Sequence, residues 1–358
     1  FPTRRSSDLG YIHLVFGGHG GHWEYGNNTL GKPGKGKQTH VVSKRPEDIS
    51  AWEVLDNISP FGTYSQFVKM EDGDIYLFYR HGSHRSNWVY QKSADNCRTF
   101  TSPVSVLLHK AQDSDPNIHD AWYAWFENGN GDTITASYVY HPCRIIGHTK
   151  ERYNGYYMQM NCVDETWTNV QGNVLAMPVT KESADQETLV CDTGKERSNH
   201  GTCRMDEDGN PHLFFRQGTG QVRYFRWLGT EWQRPVTITG ASKSQDGDMI
   251  VESPEVVRLL LAQSTSDGGE VCWWKTTDGG KRWHKEKCLI ASPHVRYTTG
   301  ALVRNAHPDG QVVVNENDSS QNHLYRKMYL LGDSGPVKRL KEEAEHLGRS
   351  KRISTRHK

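Results

Sequence analysis

Histidine and arginine gather at recurring places in this 358-residue chain, beside tyrosine and tryptophan. His119 lies two residues before Ala121-Trp122, and His141 closes Tyr138-Val-Tyr-His141. His200 sits in Asn199-His-Gly201, and Arg216 ends His212-Leu-Phe-Phe-Arg216. His81 and His84 follow Arg80, and a loop after Phe16 carries His19 and His22. Imidazole titrates near neutrality and can take or give a proton there, while guanidinium stays charged. That combination suits an anionic ligand rich in hydroxyls, with Trp122, Tyr138, Tyr140 and Tyr224 as rings able to stack on sugars. A close Asp/Glu pair, which most glycosidases need, is not evident on these loops. β-Elimination from a uronic acid needs none. A cation neutralises the C5 carboxylate, a base removes H5, and an acid protonates the departing O4. Any single histidine here can equally be a core or surface residue, so the argument rests on their joint placement.

Such residues must be held by a scaffold, and internal repetition points to one. A turn followed by alternating apolar residues recurs at residues 10–16, 72–80, 131–140, 208–216 and 309–315, with a weaker copy at 256–261. A second unit, strand–turn–strand with an aromatic, follows most copies. Thr276, Asp278, Gly280 and Trp283 match the Asp-box pattern in full; Ser93, Asp95 and Phe100 match it with Cys97 in the glycine position. The aspartate caps turn amides, glycine permits positive φ, and the aromatic packs between sheets. The spacing predicts an all-β, seven-bladed β-propeller with four-stranded antiparallel blades. It fills residues 10–336 as one domain, between an opening segment 1–9 that fits no strand pattern and a charged tail, 337–358. The chain begins at Phe1, so the opening segment reads as non-native or disordered, and the missing signal peptide carries no weight.

The 10% aromatic and 35% hydrophobic content suits strands with one apolar face. A net charge of +1 gives no bulk attraction to nucleic acid, and no apolar run is long enough to span a bilayer. Seven cysteines leave at least one unpaired. Cys272 and Cys288 flank the full Asp-box and would face each other across its hairpin, as a disulfide or as two thiols. A disulfide would favour an oxidising compartment, secreted or periplasmic. The other cysteines lack CxxC spacing, which leaves a structural zinc or calcium open.

From about Gly10 to Gly335 the chain resembles the BNR-repeat polysaccharide lyases, the ulvan lyases and rhamnosyl–glucuronate lyases. The resemblance is carried by Phe78-Tyr-Arg-His-Gly-Ser-His84, His119-Asp-Ala-Trp122, Tyr140-His-Pro-Cys143, Asn199-His-Gly-Thr202 and Gly209-Asn-Pro-His-Leu-Phe-Phe-Arg216. It implies a monomeric enzyme acting on an anionic polysaccharide without a cofactor. By the same resemblance, Arg216 with His119 neutralises the uronate, and His141 and His200 divide the base and acid roles. His200 stands where relatives carry a tyrosine, so Tyr138, Tyr140 or Tyr224 can substitute as acid; His81 and His84 are expected to line the cleft. Two further readings stand beside it. One is a glycoside hydrolase on the same propeller: an α-L-rhamnosidase using the His19/His22 loop, or a sialidase, although the Phe-Arg-Ile-Pro motif and a clear arginine triad are missing. The other is a carbohydrate-binding propeller without catalysis.

Overall fold

The computed structural model describes residues 3–6, 10–17, 38–82, 85–147, 151–199, 201–218, 220–238, 244–304, 306–317 and 327–337, with backbone only for 3–6 and 244–246. These residues form six sheets, and each sheet closes before the next begins. The first joins Thr3–Ser6, Ile12–Gly17, Gln38–Arg45 and Asp48–Leu55. The second joins Thr63–Lys69, Ile75–Arg80, Trp88–Ser93 and Val104–Leu107. The third is built on the long pair Ile118–Asn128 and Thr133–Arg144, followed by Tyr153–Asn161. The fourth centres on Pro211–Gln217 and Gln221–Arg226; the fifth runs from Ser244 to Ser292 and the sixth from Tyr297 to Pro336. Consecutive antiparallel meanders of this kind are the blade plan of a β-propeller. The seven blades expected compare with six sheets among the described residues.

Inner strands are buried on both faces and outer strands on one, which is why the apolar runs are short and differ in strength. Ile75–Arg80 is buried at all six positions, whereas the edge strand Asp48–Leu55 has no buried residue. Contacts divide the chain into two compact units. One holds residues 1–242, 249–258 and 276–283; the other holds 243–248, 259–275 and 284–358. The first has an aromatic core in which Phe78 stacks on Phe126 at 4.0 Å, with Trp88, Trp122, Tyr138 and Trp167 around them. The second is cored by Leu260, Val271, Trp273, Val312 and Leu331.

The opening segment departs from expectation: Thr3–Ser6 pairs antiparallel with Ile12–Val15. Pairing there satisfies the free backbone edge of the neighbouring strand whatever the side chains, so side-chain patterning did not reveal it. The tail from residue 338 and the His19/His22 loop lie outside the described residues. The one helix among them, Lys181–Ser183 running into a π turn at Ala184–Thr188, starts from a capping box at Thr180. Among the described residues no helix is long and apolar enough to cross a membrane.

Both Asp-boxes form as patterned. Thr276 Oγ1 accepts from the Gly280 amide at 3.0 Å, and Asp278 Oδ1 accepts from the Arg282 amide at 3.0 Å. In the second box Ser93 Oγ accepts from the Cys97 amide at 2.9 Å, and Cys97 takes φ +63° in the place of the glycine. Hydrogen bonds from the Arg282 side chain and backbone hold the Asp278 carboxyl down at about 2, against about 3.9 unfolded. A depressed carboxyl contributes stability that is complete above about pH 4 and is lost as pH falls towards 2. Asp278→Asn is therefore expected to flatten this part of the acid limb of stability, by a small amount because the group is exposed. Melting temperatures between pH 2 and 5 measure it; parallel curves for the two proteins would refute it.

Cys272 and Cys288 face each other in register and are joined as a disulfide, while the other five cysteines form none. Closing a loop of this length restricts the unfolded chain by about 3 kcal/mol. The double variant Cys272→Ser/Cys288→Ser should lose about 2–3 kcal/mol in denaturant unfolding. An unchanged midpoint would show that the bridge does not stabilise the fold. The same two sulfurs, with Glu270, make the one His/Cys/Asp/Glu group among the described residues close enough to hold a metal. Joined to each other, they offer no thiolate.

Candidate active site

His141 stands near the end of the long strand Thr133–Arg144, opposite Ala121. Its Nδ1 donates to the Glu151 carbonyl at 2.5 Å, so in the neutral ring that nitrogen carries the hydrogen and Nε2 carries the lone pair. The ring is 1% exposed and meets the Tyr123 ring edge-on at 5.6 Å. Tyr123 is two residues past Ala121, on the same face of the strand.

Two guanidinium groups lie against Tyr123. Arg152 is 3.9 Å from the ring centroid and Arg80 is 5.2 Å away. Arg152 Nη1 donates to Asn199 Oδ1 at 2.8 Å, and Asn199 pairs in register with Arg216. His141, Tyr123, Arg152, Asn199 and Arg216 are thus one connected chain of contacts across two sheets. His119 lies on the same strand as Tyr123, and its Nδ1 is 2.9 Å from Nε2 of His109, which is buried.

Tyr64 completes the group. Its hydroxyl is hydrogen-bonded with that of Tyr123, and its ring lies 4.7 Å from the Arg80 guanidinium carbon. Burial first, then Tyr123, raises the Tyr64 phenol above its ordinary value against the pull of Arg80 and Arg152. The hydroxyl therefore stays protonated at neutral pH. The groups around His141 are phenol, guanidinium and imidazole, which suits an anionic sugar.

Of the expected site residues, His119, His141 and Arg216 belong to this region; His200 and His84 lie outside the described residues. Five others are buried and hydrogen-bonded to partners of their own. His81 is fully buried, its Nε2 2.8 Å from Ser59 Oγ, and burial lowers it to about 4, which keeps it neutral. Tyr138 meets Thr188 Oγ1 at 2.6 Å, and Trp122 donates to the Leu108 carbonyl. Tyr140 donates to Asp120 at 2.8 Å. Tyr224 meets His212 Nδ1 at 2.5 Å, and His212 Nε2 in turn meets Asp206 at 3.1 Å. Blade cores take large aromatics when a partner exists for each hydroxyl, and a sequence lists the rings without the partners. Tyr64, Tyr123, Arg80, Arg152 and His109 were not singled out. Arg80 lies inside the motif at residues 78–84, and Tyr123 directly follows the one at 119–122; Tyr123 shares the face of Ala121, opposite His141, so strand alternation could have found it.

Meander sheets, Asp-box turns and a His/Arg/Tyr site together define a carbohydrate-active β-propeller. Residues 6–238 match the BNR repeat-containing family. The ulvan lyase of Nonlabens ulvanivorans is 43% identical over 363 residues, 97% of this chain and 76% of that protein. The ulvan lyase of Alteromonas sp. (strain LOR) is also 43% identical, over 94% of this chain and 72% of its own. A solved polysaccharide lyase PL25 ulvan lyase superposes with a TM-score of 0.89 at 41% identity, covering 96% of this chain and 81% of that one. A solved PL25 ulvan lyase bound to -[GlcA(1-4)Rha3S]- superposes with the same score and identity. The chain belongs to the BNR repeat-containing family and, within it, to the ulvan lyases of family PL25.

Proposed function

We propose that this protein is an ulvan lyase that cleaves the GlcA(1-4)Rha3S polymer by β-elimination and leaves a 4,5-unsaturated uronate. The observation that carries the reading is His141. Its Nδ1 hydrogen is committed to a backbone carbonyl, which makes Nε2 the basic nitrogen, next to tyrosine and guanidinium groups. Nε2 removes H5; Arg216 with His119 neutralises the carboxylate, which makes that proton more acidic. His200, beside Asn199, is assigned to the acid side of the site. Every group this chemistry needs is a side chain of the protein, so no cofactor takes part in it. The seven-blade count and the single domain over 10–336 stay part of the reading, supported by length and repeat spacing. So do a monomer and a secreted or periplasmic location, the latter supported by the Cys272–Cys288 disulfide.

The test is incubation with ulvan while following the ultraviolet absorbance of unsaturated product. Rising absorbance with new reducing ends is expected. Saturated products alone would mean hydrolysis, and binding without cleavage would mean a carbohydrate-binding propeller.

A further inference from the structure

Two features around Tyr64 have no role in the elimination described above. The first is the backbone. Tyr64 has φ +60°, a left-handed conformation that a bulky aromatic adopts only at a cost of about 1–3 kcal/mol. It lies in a bulge, where the register between Thr63–Lys69 and Ile75–Arg80 shifts between Thr63 and Gln66. Bulges beside active sites re-aim a side chain. Here the result is a tyrosine 39% exposed, beside Tyr123 at 5% and Trp88 at 1%.

The second is Arg80. Its side chain is completely buried, its Nε donates to Thr63 Oγ1 at 3.3 Å, and Nη1 and Nη2 make no hydrogen bond. No carboxylate among the described residues pairs with it. A buried cation left without a counter-ion is costly. Its guanidinium lies against the rings of Tyr64 and Tyr123 at 4.7 and 5.2 Å, so its charge is felt directly by that patch. A positive field under an exposed ring favours an anionic partner above it.

We propose that Tyr64, turned outward by the bulge and backed by Arg80, is the stacking platform for a pyranose ring of the anionic polymer next to the cleaved bond. The proposal rests on the lyase reading for the identity of the polymer. The ring face supplies contact with the C–H face of the sugar, Tyr123 fixes the hydroxyl end, and Arg80 supplies the field. Tyr64 sits one residue contact from Tyr123 and two from His141, within a sugar or two of the base.

The experiment is steady-state kinetics on ulvan with Tyr64→Ala, Tyr64→Leu and Tyr64→Phe, alongside gel retardation in ulvan-containing gels. Tyr64→Ala is expected to raise KM about 10-fold with a much smaller change in kcat. Tyr64→Leu, which keeps apolar bulk without a ring, gives the same rise and stands in if the alanine variant is unstable. Tyr64→Phe recovers the KM. An unchanged KM in Ala and Leu overturns the platform. So does a phenylalanine variant as impaired as alanine, which would assign the role to the hydroxyl. If the unaltered protein yields no unsaturated product, the lyase reading falls by itself. The gels then decide the platform: retardation lost in Tyr64→Ala supports it, and equal retardation overturns it.

Discussion

His141→Ala is expected to abolish ulvan cleavage, by about 10²- to 10⁴-fold at least, in a protein that still folds. The size follows from its role. One nitrogen of His141 is held by a backbone carbonyl and its ring meets Tyr123, against which Arg152 lies. Removing the base leaves the guanidinium groups able to bind the polymer but nothing to accept H5, so kcat falls and KM changes little. Folding survives because the ring is at the end of its strand, while the eleven pairings between Ile118–Asn128 and Thr133–Arg144 are made by backbone atoms. The loss of its packing on Tyr123 costs about 1–3 kcal/mol. Unsaturated product and a thermal melt measure the two effects. A folded variant with substantial activity would remove His141 from the mechanism.

Gly201→Ala is expected to be the most damaging single methyl group near the site. A β-carbon there would lie 1.7 Å from the Phe214 carbonyl oxygen and 2.7 Å from its carbon. Both are backbone atoms of the strand Pro211–Gln217, so no rotamer change relieves the clash. The segment that pairs Ser198–Asn199 with Arg216 and Gln217 must then separate from its neighbour. A loss of about 3 kcal/mol or more follows. Activity falls with it, because Asn199 links Arg152 to the strand carrying Arg216. Soluble yield and melting temperature test this; a variant that melts with the parent protein would show that the strands do not approach so closely.

Local features and tertiary contacts of this protein are unequally legible in its residues. The alternating runs, the Asp-box positions and the pairing of Cys272 with Cys288 all depend on neighbours in one hairpin, and they were legible. Even the departure at Cys97 was legible as a residue filling a glycine position, and it does take positive φ. The site was legible only in part. His141 could be named because it ends a strong strand and carries a family resemblance. Tyr138, Trp122 and Tyr224 carry the same aromatic signal, yet each hydroxyl or indole N–H meets a partner that alternation does not reveal: Leu108 for Trp122, His212 for Tyr224, and Thr188, 50 positions on, for Tyr138.

The linear order of residues therefore determined the blades, their turns and the chemical character of the site, because strand alternation and turn geometry are local. What only the tertiary structure decided is which aromatic faces outward and which cation stays unpaired. Tyr64 differs from its buried neighbours by a bulge and the sign of one dihedral angle, and Arg80 by having no carboxylate among the described residues paired with it. The first depends on a register shift between two paired strands and the second on which side chains of the next sheet come near, and neither can be read from spacing along the chain.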